Sequence, residues 1–142
     1  MGSEQQPAQQ RAHQGEQGLR VLIVEDEALM AIDIETTLAD AGCEIVGVAD
    51  RCGTAIQIAE AERPDLVVMD IGLAGKRDGV EGAVVIRKRY DIPTMFVSGQ
   101  FDGLFVGRAR EAEPLAWLSK PLDKEQFLTV VQLKRDRLAR AR

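Results

Sequence analysis

The chain has 142 residues, 45% of them hydrophobic, and its 18 basic and 23 acidic side chains give a formal net charge of −5. A chain of this length is expected to form one domain that buries roughly two thirds of its unfolded surface, without help from disulfides or metals. The acidic balance argues against a dedicated nucleic-acid binder, and the length argues against a catalytic domain joined to a separate output domain.

The N-terminal segment and the two cysteines give no indication of a catalytic or metal-binding role. Residues 1–18 are predicted to be a flexible leader, because they are rich in glutamine and have no apolar residue larger than alanine after Met1. No stretch approaches the roughly 18 consecutive apolar residues of a membrane helix, and no signal peptide is evident. Cys43 and Cys52 lack a metal or redox spacing, so we expect buried free thiols in a cytoplasmic protein.

From Leu19 onward, short apolar runs alternate with helical patterns. Strands are predicted at 19–24, 44–49, 66–69, 93–97 and 115–118, with a glycine-rich loop at 72–79. Helices are predicted at 28–41, 54–62 and 80–90, then a poor one at 101–113, and a last one that Asp123 caps. The apolar face of the first helix is expected at Leu29, Ile32, Leu38 and Ala41. Gly103 and Gly107 weaken the fourth helix, since each costs about 1 kcal/mol relative to alanine.

This alternation predicts an α/β fold. Strands that alternate with helices require a parallel sheet with right-handed crossovers and helices on both faces. The strands are continuous apolar runs, as is typical of strands covered on both faces. In such sheets the functional site lies at the carboxyl ends of the strands, near the point where strand order reverses.

Polar residues stand at four of the predicted strand ends. Glu25 and Asp26 follow the first strand, Asp70 the third, Ser98 the fourth and Lys120 the fifth. Three carboxylates at one edge repel each other unless a cation lies among them. Mg²⁺ meets that need, because it prefers oxygen ligands and leaves positions open for a phosphoryl oxygen. No histidine or cysteine stands near these ends, so zinc is not expected.

The same residues suit aspartyl phosphate chemistry. With Mg²⁺ in place, Asp70 is a candidate nucleophile that accepts a phosphoryl group. Lys120 would neutralise one phosphoryl oxygen, and the Ser98 hydroxyl would donate a hydrogen bond to the group. Singly, each residue has an ordinary explanation, such as a helix cap at Asp26 or Glu27 or a solvated lysine. Together they favour the phosphoacceptor hypothesis.

At these positions the chain resembles the receiver domain of two-component response regulators, over about residues 19–139. Five motifs stand in order at the family's spacing: VLIVEDE (21–27), VVMDIGLAG (67–75), DGVEGA (78–83), PTMFVSG (93–99) and WLSKP (117–121). The resemblance implies a flavodoxin-like, doubly wound sheet of five parallel strands in the order 2-1-3-4-5. It also implies a receiver domain at 19–142 that includes the last helix and has no effector domain.

By the same resemblance, Asp70 is the phosphoacceptor, and Mg²⁺ is held by Glu25, Asp26, Asp70 and the Gly72 backbone carbonyl. Glu25 stands where the family more often has aspartate, which gives a longer reach to the metal.

The remaining implied roles concern switching. Ser98 is the switch hydroxyl, where threonine is commoner, and Lys120 is the lysine that precedes a cis peptide at Pro121. Trp117 stands where the family carries a smaller aromatic ring that rotates inward. The alternative is a partly exposed ring that packs on the sheet edge.

The implied function is that of a single-domain response regulator. It accepts a phosphoryl group from a histidine kinase or histidine phosphotransferase, with Mg²⁺-dependent self-phosphorylation and self-dephosphorylation as its only chemistry. The output is a contact with an unidentified target protein, or the chain acts as a phosphate sink. Phosphorylation is expected to order segment 101–113. The sequence leaves open whether phosphorylation also produces a homodimer. Residues 96–99 are similar to the Phe-Ala-Thr-Gly motif of single-domain receivers linked to alphaproteobacterial stress signalling.

Three other functions fit the sequence less well. A hydrolase of the haloacid dehalogenase type needs Asp-x-Asp, but Ile71 and Gly72 follow Asp70. A nucleotide or flavin binder needs a glycine-rich phosphate loop after the first strand, and none is present. A receiver-like adaptor that never takes phosphate would not need all five site residues. The basic end, with Lys134, Arg135, Arg137, Arg140 and Arg142 against Asp136, is either a solvated helix face or a contact for an acidic partner.

Overall fold

The structure is a computed structural model that describes residues 18–72, 78–99 and 103–141. Residues 1–17 of the predicted leader and residues 73–77 of the predicted glycine-rich loop therefore lie outside the described residues. The same holds for the first two residues of the predicted segment 101–113.

Strands and helices alternate along the described chain. In order they are β1 Arg20–Val24, α1 Ala28–Asp40, β2 Glu44–Ala49, α2 Cys52–Glu62, β3 Leu66–Asp70, α3 Gly79–Tyr90, β4 Thr94–Ser98, α4 Gly103–Ala109, β5 Ala116–Ser119 and α5 Lys124–Ala141. A 3₁₀ turn at Arg110–Ala112 follows α4. The predicted elements are all present; β2 has the predicted bounds, and the other ends lie within two residues of the prediction except that of α4, which ends at Ala109 rather than at residue 113.

The strands form one parallel sheet in the order β2-β1-β3-β4-β5. This confirms the predicted α/β, doubly wound fold. The order reverses between β1 and β3, where Val24, the last residue of β1, is the register partner of Met69 in β3. Asp70, one residue beyond Met69, is therefore placed at the switch point, where ligands bind in sheets of this type.

Two apolar layers cover the sheet because successive strand residues point to opposite faces. Val21 and Ile23 of β1 face the layer of α1 and α5, where Phe127 is fully buried. Leu22 and Val24 face the other layer, formed by α2, α3 and α4. Burial on both faces explains why the strands are continuous apolar runs.

Helix α1 corrects one prediction. Leu29 and Ile32, expected on its buried face, are 80% and 57% exposed. The helix instead buries Ala31, Ile34 and Leu38, which are spaced three and four residues apart and therefore share one side of the helix. The prediction failed because apolar residues stand on both sides of this helix, and only the sheet decides which side is covered.

Helix ends follow local chemistry. The Asp78 side chain caps α3 by accepting the Glu81 amide at 3.0 Å. Asp123 caps α5 as predicted, because its Oδ1 accepts the amides of Glu125 and Gln126 at 3.0 and 3.2 Å. Helix α2 begins at Cys52, two residues earlier than predicted.

The basic end of α5 is only partly solvated. Arg135 is half-buried and donates to the Ala41 carbonyl at 3.0 Å, where α1 ends. Arg137 and Arg140 are exposed, as a solvated helix face requires. No helix in the described ranges is both long enough and apolar enough to cross a membrane. Cys43 and Cys52 are buried free thiols, as predicted.

Candidate functional site

Three predicted carboxylates lie together at the carboxyl edge of the sheet. Glu25, Asp26 and Asp70 each offer an oxygen atom, and these oxygens all lie within 4.8 Å of one another. Glu25 and Asp70 are 3% and 7% exposed, whereas Asp26 is exposed. The cluster is thus a buried acidic site with one open side.

Backbone contacts fix the two buried carboxylates. The Glu25 amide donates to the Ala49 carbonyl at 2.9 Å, which extends the pairing of β1 with β2 by one residue. Glu25 Oε2 accepts the Glu27 amide at 3.1 Å. Asp70 ends β3, and its Oδ1 accepts the Gly72 amide at 3.3 Å. Both side chains are held in place before any ligand binds.

Lys120 brings a positive charge to this cluster. Its amide donates to the Ser98 carbonyl at 2.9 Å, which extends the pairing of β4 with β5 by one residue. Lys120 is thereby held at the end of β5, next to the cluster. Its Nζ atom lies 3.2 Å from Glu25 Oε1 and 3.5 Å from Asp70 Oδ2. The Lys120–Pro121 peptide is cis, as predicted.

Charge and burial compete at this site. Burial is the main reason that the pKa of Glu25 is raised, and repulsion from Asp70 adds to it, although the Glu27 amide and Lys120 oppose the rise. Burial alone would lower the pKa of Lys120, but the charges of Asp70 and Glu25 outweigh it and raise that pKa. Lys120 is therefore positively charged at neutral pH, whereas keeping the Glu25 carboxylate ionised lowers the stability of the folded protein.

The donor set fits a hard divalent cation. Within the described residues, the cluster offers carboxylate oxygens and neither histidine nor cysteine. Glu25 Oε1 is buried and faces the Lys120 ammonium at 3.2 Å, and no backbone amide among the described residues donates to it. An oxygen that already faces a cation can accept a metal ion without losing a backbone hydrogen bond. The predicted Mg²⁺ ligation by these residues and by the Gly72 carbonyl stays a prediction.

Glu25→Gln is expected to raise the unfolding temperature by a few degrees at pH 7 without Mg²⁺. The folded protein holds the pKa of Glu25 above the ordinary value of a glutamate, so the contribution of this group to stability is fully present below the pKa that it has in the unfolded chain. It is lost as the pH rises through the folded pKa, and the variant avoids that loss. Thermal unfolding measured against pH checks this, with Glu60→Gln on exposed α2 surface as the control.

Mg²⁺ should reverse that ranking, because it stabilises the wild type by binding only the folded state. The variant has lost one carboxylate and should gain less stability from Mg²⁺. A variant that is less stable than the wild type without Mg²⁺ would contradict the account of the Glu25 carboxylate.

Ser98 and Trp117 lie outside the carboxylate cluster but close to it in the sheet. Ser98 ends β4 and is buried, on the strand that pairs with β3 through Asp70 and Val97. The Trp117 ring is half-buried and stacks on Phe96, with 4.9 Å between ring centroids. This contact places the ring against the layer of α2, α3 and α4. Rotation of Trp117 stays a prediction.

Sequence reasoning missed two features of the site. At Gly79, a side-chain Cβ would collide with the Asp70 carbonyl oxygen and would lie 2.9 Å from the Asp70 carbonyl carbon. Asp78, next to it, pairs through both carboxylate oxygens with Arg108 of α4, at 3.0 and 3.2 Å. The only sequence signal for the close approach at Gly79 was a glycine just before a predicted helix. No motif spacing indicated the ion pair between Asp78 and Arg108.

Comparison with known proteins identifies relatives along most of the chain. The sequence profile described as "Response regulator receiver domain" matches residues 21–132. The transcriptional regulatory protein PdtaR of Mycobacterium tuberculosis is 37% identical over 114 residues, which are 80% of this chain and 55% of that protein. The phyllosphere-induced regulator PhyR of Methylorubrum extorquens is 30% identical over 112 residues, 78% of this chain and 41% of that protein. The chain thus spans about half the length of these relatives.

Solved structures show the same fold. The receiver domain of a modulated diguanylate cyclase from Desulfovibrio desulfuricans superposes with a TM-score of 0.79 at 29% identity, covering 87% of this chain and 98% of that one. A CheY-like receiver domain protein from Methanospirillum hungatei gives a TM-score of 0.80 at 23% identity, with coverage of 88% and 99%. The second similarity supports the fold alone.

Proposed function

The chain belongs to the response regulator receiver domain family, and from that membership we propose that Asp70 accepts a phosphoryl group from a histidine kinase or histidine phosphotransferase. The family consists of signalling domains of bacterial two-component systems rather than conventional enzymes. One observation carries the proposal: the Lys120 ammonium lies 3.5 Å from the Asp70 carboxylate inside a buried acidic cluster. No ordinary structural role requires three carboxylates and a lysine at that edge.

In the proposed reaction, an Asp70 carboxylate oxygen attacks the phosphorus atom of a phosphohistidine. The new O–P bond forms as the N–P bond breaks, and the electron pair leaves with the imidazole nitrogen. Lys120 pairs with one phosphoryl oxygen. Mg²⁺ would be held by Glu25, Asp26, Asp70 and the Gly72 carbonyl, and it would supply the further positive charge that the transferred group needs. Attack of water on the phosphorus atom of the Asp70 phosphate would break the bond between the carboxylate oxygen and phosphorus, release inorganic phosphate and so give self-dephosphorylation.

Ser98 is proposed to report the phosphoryl group to the rest of the domain. Its hydroxyl would donate to a phosphoryl oxygen, and the change at the end of β4 would pass to α4 and to Trp117 of the neighbouring strand. Output would then run through protein contacts in the cytoplasm, with a downstream target, a homodimer or a phosphate-sink role as its candidate forms.

Incubation with acetyl phosphate tests the phosphoacceptor proposal, because it needs no partner protein. Intact mass spectrometry is expected to find one phosphoryl adduct with Mg²⁺ present and none after chelation with EDTA. Absence of the adduct, or an equal adduct in EDTA, would overturn the proposal.

Ser98→Ala is expected to separate phosphorylation from its structural consequence. The variant keeps Asp70 and Lys120, so it should still gain the phosphoryl group. In the wild type, phosphorylation should slow amide exchange in residues 103–113 by about tenfold, or about 1.4 kcal/mol of local stability. The variant should lose that protection. Equal protection in both proteins would show that the serine hydroxyl is not the reporter.

A further inference from the structure

Arg108 of α4 and Asp78 at the start of α3 form an ion pair that joins two helices of the same layer. The Arg108 Nη2 atom lies 3.0 Å from Asp78 Oδ2 and 3.2 Å from Asp78 Oδ1, so one guanidinium nitrogen bridges both carboxylate oxygens. The two side chains are 43% and 30% exposed. The phosphoryl transfer proposed above gives this pair no role.

The Asp78 half of the pair is fixed relative to the phosphoacceptor. The Asp78 side chain caps α3 by accepting the Glu81 amide at 3.0 Å. The next residue, Gly79, donates its amide to the Ile71 carbonyl at 2.8 Å. Gly79 also lies so close to the Asp70 carbonyl oxygen that no Cβ fits between them. The carboxylate of Asp78 is therefore held in place with the end of β3.

Helix α4, which carries Arg108, is short and intrinsically weak. It has seven residues, and Gly103 and Gly107 lower its stability because glycine is a poor helix former. Among its described side chains, Ala109 is buried in the apolar layer, whereas Arg108 is exposed. A short helix of low propensity needs tertiary contacts to keep its place. The ion pair to Asp78 is one such contact, and it fixes α4 against the start of α3.

The switch proposed above displaces α4, and the ion pair resists that displacement. A nitrogen–oxygen distance of 3.0 Å leaves the hydrogen-bonding range once the two atoms separate by about a further 0.5 Å. Asp78 does not follow α4, because its backbone is held to the end of β3. A movement of α4 that the Ser98 hydroxyl transmits would therefore break the pair.

We propose that the Asp78–Arg108 ion pair is a latch that stabilises the resting position of α4 and opposes the phosphorylated conformation. The proposal rests on the phosphoacceptor function and adds a regulatory element to it. A contact present only in the resting conformation lowers the affinity of the site for a phosphoryl group. Because the pair is partly exposed, its contribution is modest, and we expect a factor of about three to five.

The test measures how tightly the protein binds beryllofluoride, a non-covalent mimic of the phosphoryl group, in the presence of Mg²⁺. Arg108→Gln and Asp78→Asn should each lower the dissociation constant, measured by titration calorimetry, by about three- to fivefold. Asparagine still caps a helix, so the second variant removes the charge and keeps the start of α3. The double variant should bind as each single variant does, because both substitutions remove the same contact.

The direction of these changes separates the latch from other effects. A loss of structure would weaken binding in both variants. A direct effect of charge on the anion would weaken binding in Arg108→Gln and strengthen it in Asp78→Asn. Only the latch predicts tighter binding in both. Arg110→Gln is the matched control, because it removes the same charge from an exposed residue of the 3₁₀ turn and should leave the affinity unchanged.

The outcomes distinguish this proposal from the phosphoacceptor function. If the wild type binds beryllofluoride and the two single variants bind it equally well or more weakly, the latch is overturned and the phosphoacceptor function stands. The latch is also overturned if the effects of the two substitutions multiply in the double variant. If the wild type does not bind beryllofluoride with Mg²⁺, the phosphoacceptor function fails and the latch fails with it.

Discussion

Asp70→Asn is expected to lower phosphoryl incorporation from acetyl phosphate by at least about a thousandfold, which is loss of detectable labelling. The amide has no anionic oxygen to attack phosphorus. Glu25 also lies beside the Lys120 ammonium, but Asp70 is the carboxylate of the cluster that stands at the end of β3. The fold should be kept, because the substitution removes one of two buried charges that repel each other at this edge. Intact mass and circular dichroism of the purified variant check both statements.

Asp91→Asn is the matched control for that variant. Asp91 ends α3 with a positive φ of 58°, a conformation that asparagine adopts readily, and its carboxylate is exposed. This control should be labelled like the wild type. If Asp70→Asn gained the phosphoryl group at the wild-type rate, the acceptor would be another residue.

Gly79→Ala is expected to destabilise the protein by about 3 kcal/mol. The added Cβ would collide with the Asp70 carbonyl oxygen, and it would lie 2.9 Å from the Asp70 carbonyl carbon and from Ile71 Cα. These neighbours are backbone atoms, so they cannot turn aside as a flexible side chain would. The Gly79 amide also donates to the Ile71 carbonyl at 2.8 Å, and that contact would be strained. Urea unfolding measures the loss, and phosphorylation should fall because Asp70 is displaced.

Gly53→Ala controls for the change of residue type. No atom lies within 4 Å of a Cβ at Gly53, which is exposed near the start of α2. Alanine should stabilise the helix by up to about 1 kcal/mol there. If Gly79→Ala unfolded at the same urea concentration as the wild type, the close backbone approach at Asp70 would be refuted.

The position of the site at the strand ends could be predicted because it follows from the topology of the sheet. Parallel strands finish at one edge of the sheet, so Glu25, Asp26, Asp70 and Lys120 had to meet once the alternation of strands and helices was recognised. The strand order and the family also follow from the motifs. Burial of the Glu25 and Asp70 carboxylates, and the ion pair between Lys120 and Glu25, depend on packing that no pattern specifies.

The exposed side of α1 could not be predicted, for a physical reason. Its apolar residues form two stripes, and helical periodicity alone does not say which stripe meets the sheet. The stripe of Ala31, Ile34 and Leu38 is covered, which leaves Leu29 and Ile32 outside. The close approach of Gly79 to the Asp70 carbonyl could not be predicted either, because a glycine in a sequence does not indicate which backbone atoms lie near it.

The most direct measurement is chemical mapping of the phosphorylated residue. The protein is phosphorylated with acetyl phosphate and Mg²⁺ and then treated with sodium borohydride, which reduces an aspartyl phosphate to homoserine. Peptide sequencing by mass spectrometry is expected to find homoserine at position 70, and only when Mg²⁺ was present. Homoserine at another aspartate, or none at all in a protein that carries the phosphoryl adduct, would contradict the assignment of Asp70 as the phosphoacceptor.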